Sequence, residues 1–104
     1  MSEYFINISL QFREELERIY FYISYVLSSP HTADKLYFKV KESVLSLNLF
    51  PERYSKILIS NYSNHNLRKM VVNNYIIIYE VNNVSFQVSI LHIFHSSQNY
   101  LDRL

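Results

Sequence analysis

The sequence predicts an α+β domain in which an α-helical hairpin backs a twisted antiparallel sheet, in the element order β-α-α-β-β-β-β. Three observations predict it. Apolar residues recur every three or four positions between residues 10 and 49, the period drops to two after Pro51, and the Asn-Asn pairs at 73–74 and 82–83 punctuate that second half. At 104 residues the chain has length for one core, so residues 1–104 read as a single domain.

The first element is residues 4–8, Tyr-Phe-Ile-Asn-Ile, an aromatic and β-branched run that reads as a strand and stops at Ser9, a helix N-cap. Phe12, Leu16, Ile19, Tyr20, Ile23 and Leu27 then mark one face of a helix of about 19 residues. Glu14 and Arg18 sit four apart on its outer side, in the favourable order for an ion pair. Pro30 ends that helix by disfavouring helical geometry in Ser29, and Ser29-Pro30 serves as N-cap and first position of the next. The second helix carries Ala33, Leu36, Tyr37, Val40, Val44 and Leu47 on one stripe and closes between Asn48 and Pro51.

Beyond Pro51 the segments 56–59, 67–72, 75–81 and 84–94 read as extended, placing a sheet over 56–95 with a short tail after it. Residues 60–66 are polar and aperiodic and read as a loop. Asparagine tolerates the positive φ of tight hairpin turns, so Asn73-Asn74 and Asn82-Asn83 are expected to pair Val72 with Tyr75 and Val81 with Val84. That register sorts Met70, Val72, Tyr75, Ile77, Tyr79, Val81, Phe86, Val88, Ile90 and Phe94 onto the helix-covered face. The other face receives Lys69, Val71, Ile76, Ile78, Glu80, Ser85, Gln87, Ser89, Leu91, Ile93 and His95, a mixed surface with an apolar centre of the kind that awaits a partner.

Composition excludes several classes of chemistry. With no cysteine there is no disulfide, thiol nucleophile or thiolate metal site, and with no glycine there is no Gly-rich phosphate loop. His92 and His95, an odd separation along a strand, point to opposite faces, so no metal is expected, and no cofactor either. The N-terminus lacks the features of a signal peptide, and no apolar run approaches the roughly 20 residues that span a bilayer. The expected location is the cytoplasm, with no membrane partner. Net charge is +1, with the first 51 residues summing to −1 and the remainder to +2, a mild bias of any anionic contact toward the second half.

The order and wording of these elements resemble the RelE/ParE family of toxins across nearly the whole chain. The similar features are Ser-Pro-x-x-Ala at Ser29 to Ala33, Ser-Leu-x-x-Phe-Pro at Ser46 to Pro51, and Leu67-Arg68 ahead of Tyr75. The run Asn74 to Val81 looks like the family's hallmark strand, and Ile-Leu-x-x-x-His ends at His95. The resemblance implies the toxin of a type II toxin–antitoxin system. It also implies a cognate antitoxin whose flexible C-terminal segment wraps the toxin, and an assembly that is a homodimer or a toxin–antitoxin heterotetramer.

Two activities occur among such toxins. RelE-like members cut messenger RNA on the ribosome with basic residues on the open sheet face, including an arginine directly after the hallmark tyrosine, where this chain has Ile76. A residual nuclease site would use His95 as general acid and Lys69 as phosphate clamp, with Tyr100 nearby in the tail. ParE-like members poison DNA gyrase through protein contacts. The spacing of Leu67-Arg68 to Tyr75, the position of His95 and the apolar open face look more like that branch. The resemblance then gives Arg68, Lys69, Val71, Ile76, Ile78, Leu91, Ile93 and His95 as the target- or antitoxin-binding surface. A third reading is a member that binds antitoxin without being toxic.

Structural roles compete for the same residues. Arg68 faces Tyr79 at a strand end and can hydrogen-bond or stack there, Lys69 lies diagonal to Glu80, His92 suits the core, and His65 falls in the polar loop.

Overall fold

The chain begins its fold with a strand that stops early. In the computed structural model, which describes residues 3–58 and 65–99, β1 covers Phe5–Ile8 and Ser9 caps α1, Leu10–Phe21. The Ser9 hydroxyl accepts from the Phe12 N–H at 3.0 Å and donates to the Leu91 carbonyl at 3.1 Å, so one side chain both starts the helix and ties it to the sheet. Such a cap contributes about 1 kcal/mol. The helix continues through a π-turn, Tyr22–Val26, closed by the Leu27 N–H on the Tyr22 carbonyl, and ends at Ser28 with φ 52°.

Ser29 stands at the N-cap of α2, Pro30–Leu45, where its carbonyl accepts the Ala33 N–H. Its hydroxyl donates backwards to the Leu27 carbonyl, so the expected side-chain cap is not made. Ala33, Leu36, Val40, Val44 and Leu47 are buried as the stripe predicts, whereas Tyr37 on that stripe and Leu27 at the end of the first helix's stripe are about half exposed.

The strands β2 (Leu67–Val72), β3 (Tyr75–Asn82) and β4 (Gln87–His95) form the antiparallel meander, and β1 adds to β4 in parallel, giving the order β1-β4-β3-β2. The sheet is therefore mixed at one edge, because β1 lies beside β4 and runs the same way. The predicted strand at 56–59 reduces to a bridge between Lys56 and Arg68, flanked by Ile57 N–H to Leu67 carbonyl and Lys69 N–H to Ser55 carbonyl bonds. Residues 59–64, which include most of the expected loop, lie outside the described residues.

The first hairpin is as expected: Val72 pairs with Tyr75 across Asn73-Asn74, and Asn73 takes φ 54°. The second is longer. Asn82 pairs with Gln87, the connection is residues 83–86, and Val81 faces Val88 instead of Val84. The Asn82 side-chain oxygen accepts the N–H groups of Val84 and Ser85 at 2.9 and 3.0 Å, folding a turn that leaves Val84 93% exposed. Phe86, expected in the strand core, sits in the left-handed region and packs edge-on against Tyr4 at the sheet end.

The register moves by four residues, an even number, so Val88 and Ile90 stay on the helix side as expected. A β-bulge then breaks the ladder between Ile78 and Tyr79, opposite Leu91: Ile78 faces His92 and Tyr79 faces Ile90. One extra residue inverts every side chain after it. Ile93 and His95 thereby join the helix-covered face, opposite Ile77 and Tyr75, while His92 and Phe94 go to the other, a correction of the expected faces for Ile93, His95 and Phe94 and of the core place expected for His92.

The main core lies between the helices and the sheet, with Phe12, Val40 and Leu47 against Met70, Ile77, Tyr79, Val88, Ile90 and Ile93. A second cluster of Ile57, Leu67, Ile76, Ile78 and Phe94, with Leu91 packed against it, fills the other side of the sheet. The open flank expected there is thus buried at its centre, with Ile76 8% and Ile78 0% exposed. Among the described residues no helix is long and apolar enough to cross a membrane.

Candidate functional site

The residues predicted for the site divide among three places. On the sheet face away from the helices, Val71 is 61% exposed and Lys69 stands partly covered opposite Ile78, at the rim of the second cluster that holds Ile76, Ile78 and Leu91. Glu80 on that face takes His65 as its partner, Nδ1 to Oε2 at 2.6 Å, an exposed pair of small energetic weight.

Arg68 is committed inward. Its Nη1 donates to the carbonyls of Glu52 and Tyr54 at 3.0 and 2.8 Å, its Nε donates to Asn66 Oδ1 at 3.0 Å, and its Nη2 pairs with the Glu52 carboxylate at 3.3 Å. Glu52 also accepts from the amides of Asn66 and Asn83, and the Asn66 hydrogen bond is the chief reason its carboxyl is held below the usual range. Beside this network the Tyr79 hydroxyl donates to the Pro51 carbonyl at 2.6 Å, and burial pushes its pKa up to about 12. Arg68 and Tyr79 together strap residues 51–55 to the β2–β3 edge, which is the structural role that competed with target contact.

His95 sits at the end of β4 on the helix side, edge-on to the Tyr75 ring at 5.3 Å between centroids. Its Nδ1 accepts the Ser97 N–H at 3.1 Å and lies 2.8 Å from the Ser97 hydroxyl, so the neutral ring carries its proton on Nε2. Lys69 lies on the opposite face, paired with Ile78, so the bulge separates the two groups that a nuclease would have to bring together. Tyr100, the third nuclease candidate, lies outside the described residues. His92 stacks on Phe94 at 5.6 Å, and among the described residues no group of three His, Asp or Glu side chains is placed to hold a metal ion.

Sequence reasoning missed Glu15. Its carboxylate is 4% exposed, accepts the Ile93 N–H at 3.1 Å and lies 3.3 Å from His92 Nδ1. β1 ends at Ile8, paired with Ile90, and Glu15 takes over as hydrogen-bond partner for the β4 edge beyond the bulge. The signal was present, since Glu15 falls between Phe12 and Ile19 on the buried stripe, where an acid needs a donor.

The helical hairpin supplies the exposed apolar surface that the sheet withholds. A groove of about 350 Å³ between α1 and α2, beside Ile8, is floored by Phe12, Leu16, Val40 and Val44 and rimmed by Arg13, Glu17 and Lys41. At the hairpin tip Phe21, Tyr22, Tyr25, Val26 and Leu27 are all at least half exposed, with Phe21 and Tyr25 stacked at 5.6 Å.

A helical hairpin laid on a mixed four-stranded sheet is the architecture of the RelE/ParE toxins, and solved structures of that class share it. The chain is similar to one from the chromosomal ParDE toxin–antitoxin system of P. aeruginosa, with TM-score 0.71 and 16% identity over 89% of this chain and 96% of that one. It is similar to one from the RelBE2 toxin–antitoxin complex of Mycobacterium tuberculosis, with TM-score 0.64 and 17% identity over 94% and 97%. The archaeal RelE–RelB complex of Pyrococcus horikoshii gives TM-score 0.65 and 20% identity over 93% and 99%. No curated protein matches the sequence. Residues 6–100 match the family of ParE toxins of the type II toxin–antitoxin system parDE, and the chain belongs to that family.

Proposed function

We propose that this type II toxin arrests growth by a ParE-like protein contact with DNA gyrase and that a cognate antitoxin restrains it. The observation that carries the reading is the bulge at Leu91, which puts His95 and Lys69 on opposite faces of the sheet. Cleavage by 2′-hydroxyl attack needs a proton donor, a base and a cation around one phosphate, and these two side chains cannot meet there. Ile76, at the position of the RelE-like arginine, is buried and offers a phosphate nothing. The antitoxin is assigned to the groove between α1 and α2, whose apolar floor and mixed-charge rim suit an amphipathic helix that folds as it docks. Val71 remains as an accessible contact on the sheet.

The test is expression without antitoxin, followed by a supercoiling assay with purified gyrase and primer-extension mapping of transcripts. Growth arrest, loss of supercoiling and no new transcript ends are expected, and a Lys69→Ala/His95→Ala variant should keep full toxicity. Ribosome-dependent transcript cleavage that the double variant abolishes would instead establish the RelE-like activity. Absence of arrest would establish a non-toxic antitoxin-binding member.

A further inference from the structure

Three hollows among the described residues differ in the charge of their rims. The hairpin groove carries Arg13 and Lys41 with Glu17, and the hollow beside His95 carries Arg18 with Glu15. A third, of about 590 Å³, lies between the hairpin tip and the Asn73-Asn74 turn, and its charged lining among the described residues is Lys35 and Lys39. These lysines are four apart on one face of α2, with Cβ atoms roughly 6 Å from each other. Both are exposed, and among the described residues neither side chain makes a hydrogen bond or ion pair. Asp34, next to Lys35, is taken by the Tyr20 hydroxyl, and Glu42, three residues beyond Lys39, forms no ion pair with it. The floor beneath them is apolar, built from the buried side chains of Ile23 and Leu36.

We propose that this cleft receives an acidic, apolar-anchored segment of the protein the toxin acts on, while the antitoxin sits elsewhere, in the groove beside Ile8. The inference rests on the reading of the chain as a toxin that works through a protein contact. A carboxylate between Lys35 and Lys39 gains two cationic partners that have none to give up, and an adjacent aliphatic or aromatic side chain covers Ile23 and Leu36. Leu27, 53% exposed, lines the same cleft from the hairpin tip, so the anchor meets an accessible apolar side chain as well as the buried floor. A nucleic acid fits less well: two lysines neutralise two phosphates at most, and an apolar floor adds nothing to a backbone contact.

The experiment compares Lys35→Glu/Lys39→Glu and Lys35→Arg/Lys39→Arg chains with the parent in controlled expression. Antitoxin affinity is measured by calorimetry, and carbodiimide coupling to purified gyrase is mapped by mass spectrometry. The Glu pair should lose growth arrest by at least about tenfold in surviving colonies while binding antitoxin within about twofold of the parent, and the Arg pair should stay toxic. Amide cross-links to gyrase should fall on Lys35 or Lys39. Undiminished toxicity of the Glu pair overturns the proposal, and so does a matching loss of antitoxin affinity, which would hand the cleft to the antitoxin. Binding of a single-stranded oligonucleotide that the Glu pair abolishes overturns it in favour of nucleic acid. A parent chain that does not arrest growth overturns the functional reading and this site with it, whereas the outcomes above bear on the cleft alone.

Discussion

Replacing Glu15 by alanine tests how the sheet edge is held where β1 gives out. The Glu15 carboxylate is buried, accepts the Ile93 N–H at 3.1 Å and stands 3.3 Å from His92 Nδ1. Alanine removes the acceptor and leaves a buried N–H without a partner, a loss of about 1–3 kcal/mol, toward the upper end because the acceptor is charged. For a domain of this size a loss of 2 kcal/mol lowers Tm by roughly 10 °C. Glutamine keeps an acceptor oxygen in the same place, so Glu15→Gln should recover more than half of that loss. Glu14, exposed one position away and paired with Arg18 at 3.9 Å, is the control, and Glu14→Ala should cost no more than about 0.5 kcal/mol. Urea denaturation of the isolated chain followed by circular dichroism measures all three. Amide exchange should show Ile93 deprotected in the alanine variant. A Glu15→Ala chain as stable as Glu14→Ala would refute the argument that this carboxylate replaces a strand.

Three further outcomes are expected. Tyr79→Phe leaves the Pro51 carbonyl without its donor and should cost about 1–2 kcal/mol in urea denaturation. Because the folded-state pKa of Tyr79 is raised to about 12 from 10.0, its contribution is complete below pH 10 and is lost as pH rises through 12. The Phe variant should therefore unfold less steeply across pH 10–12, as followed by tyrosinate absorbance. Glu52 has a lowered pKa, so its contribution is present above the ordinary carboxylate value of 4.5 and is lost as pH falls below it, and Glu52→Gln should flatten the acid limb of a Tm-against-pH curve. Arg68→Lys cannot reach Glu52, Tyr54 and Asn66 together with one ammonium. It should cost about 1–2 kcal/mol, with toxicity restored by low growth temperature, where loss of a direct target contact would not be.

The helical half was legible because its information is local. Ser9, the stripe from Phe12 to Ile23 and the Ser29-Pro30 corner sit within a turn or two of the positions they govern. The first hairpin was legible for the same reason, since Asn73 supplies the positive φ that a two-residue turn demands. The second failed because Asn82 has two ways to make a turn. It can occupy the turn with its backbone, or bind the N–H groups of Val84 and Ser85 with its side chain, and the second leaves Val84 and Phe86 out of the strand. Alternation between apolar and polar residues could not separate these, because they differ by an even number of residues. The site was less legible than the fold. Lys69 and Val71 were placed on the correct face, but Ile76 and Ile78 were assigned to an open surface because nothing in their own strand reveals that Ile57 and Phe94 pack over them.

The bulge at Leu91 shows why so much of the site turned on one residue. A bulge that only relieved strain could migrate along β4, and the identities of the two faces would blur with it. Here it is pinned from both sides by α1: the Ser9 hydroxyl donates to the Leu91 carbonyl itself, and Glu15 accepts the N–H of Ile93 two residues on. A pairing without the extra residue would pull both contacts out of place, bury His92 under the helices and expel Ile93 from the core. The cost of that, an unsatisfied buried carboxylate plus the loss of a fully buried isoleucine, is several kcal/mol, a large fraction of the stability of a domain this size. The register is therefore fixed by the helix that follows the short first strand, and the position of His95 away from Lys69 is a consequence of where β1 ends.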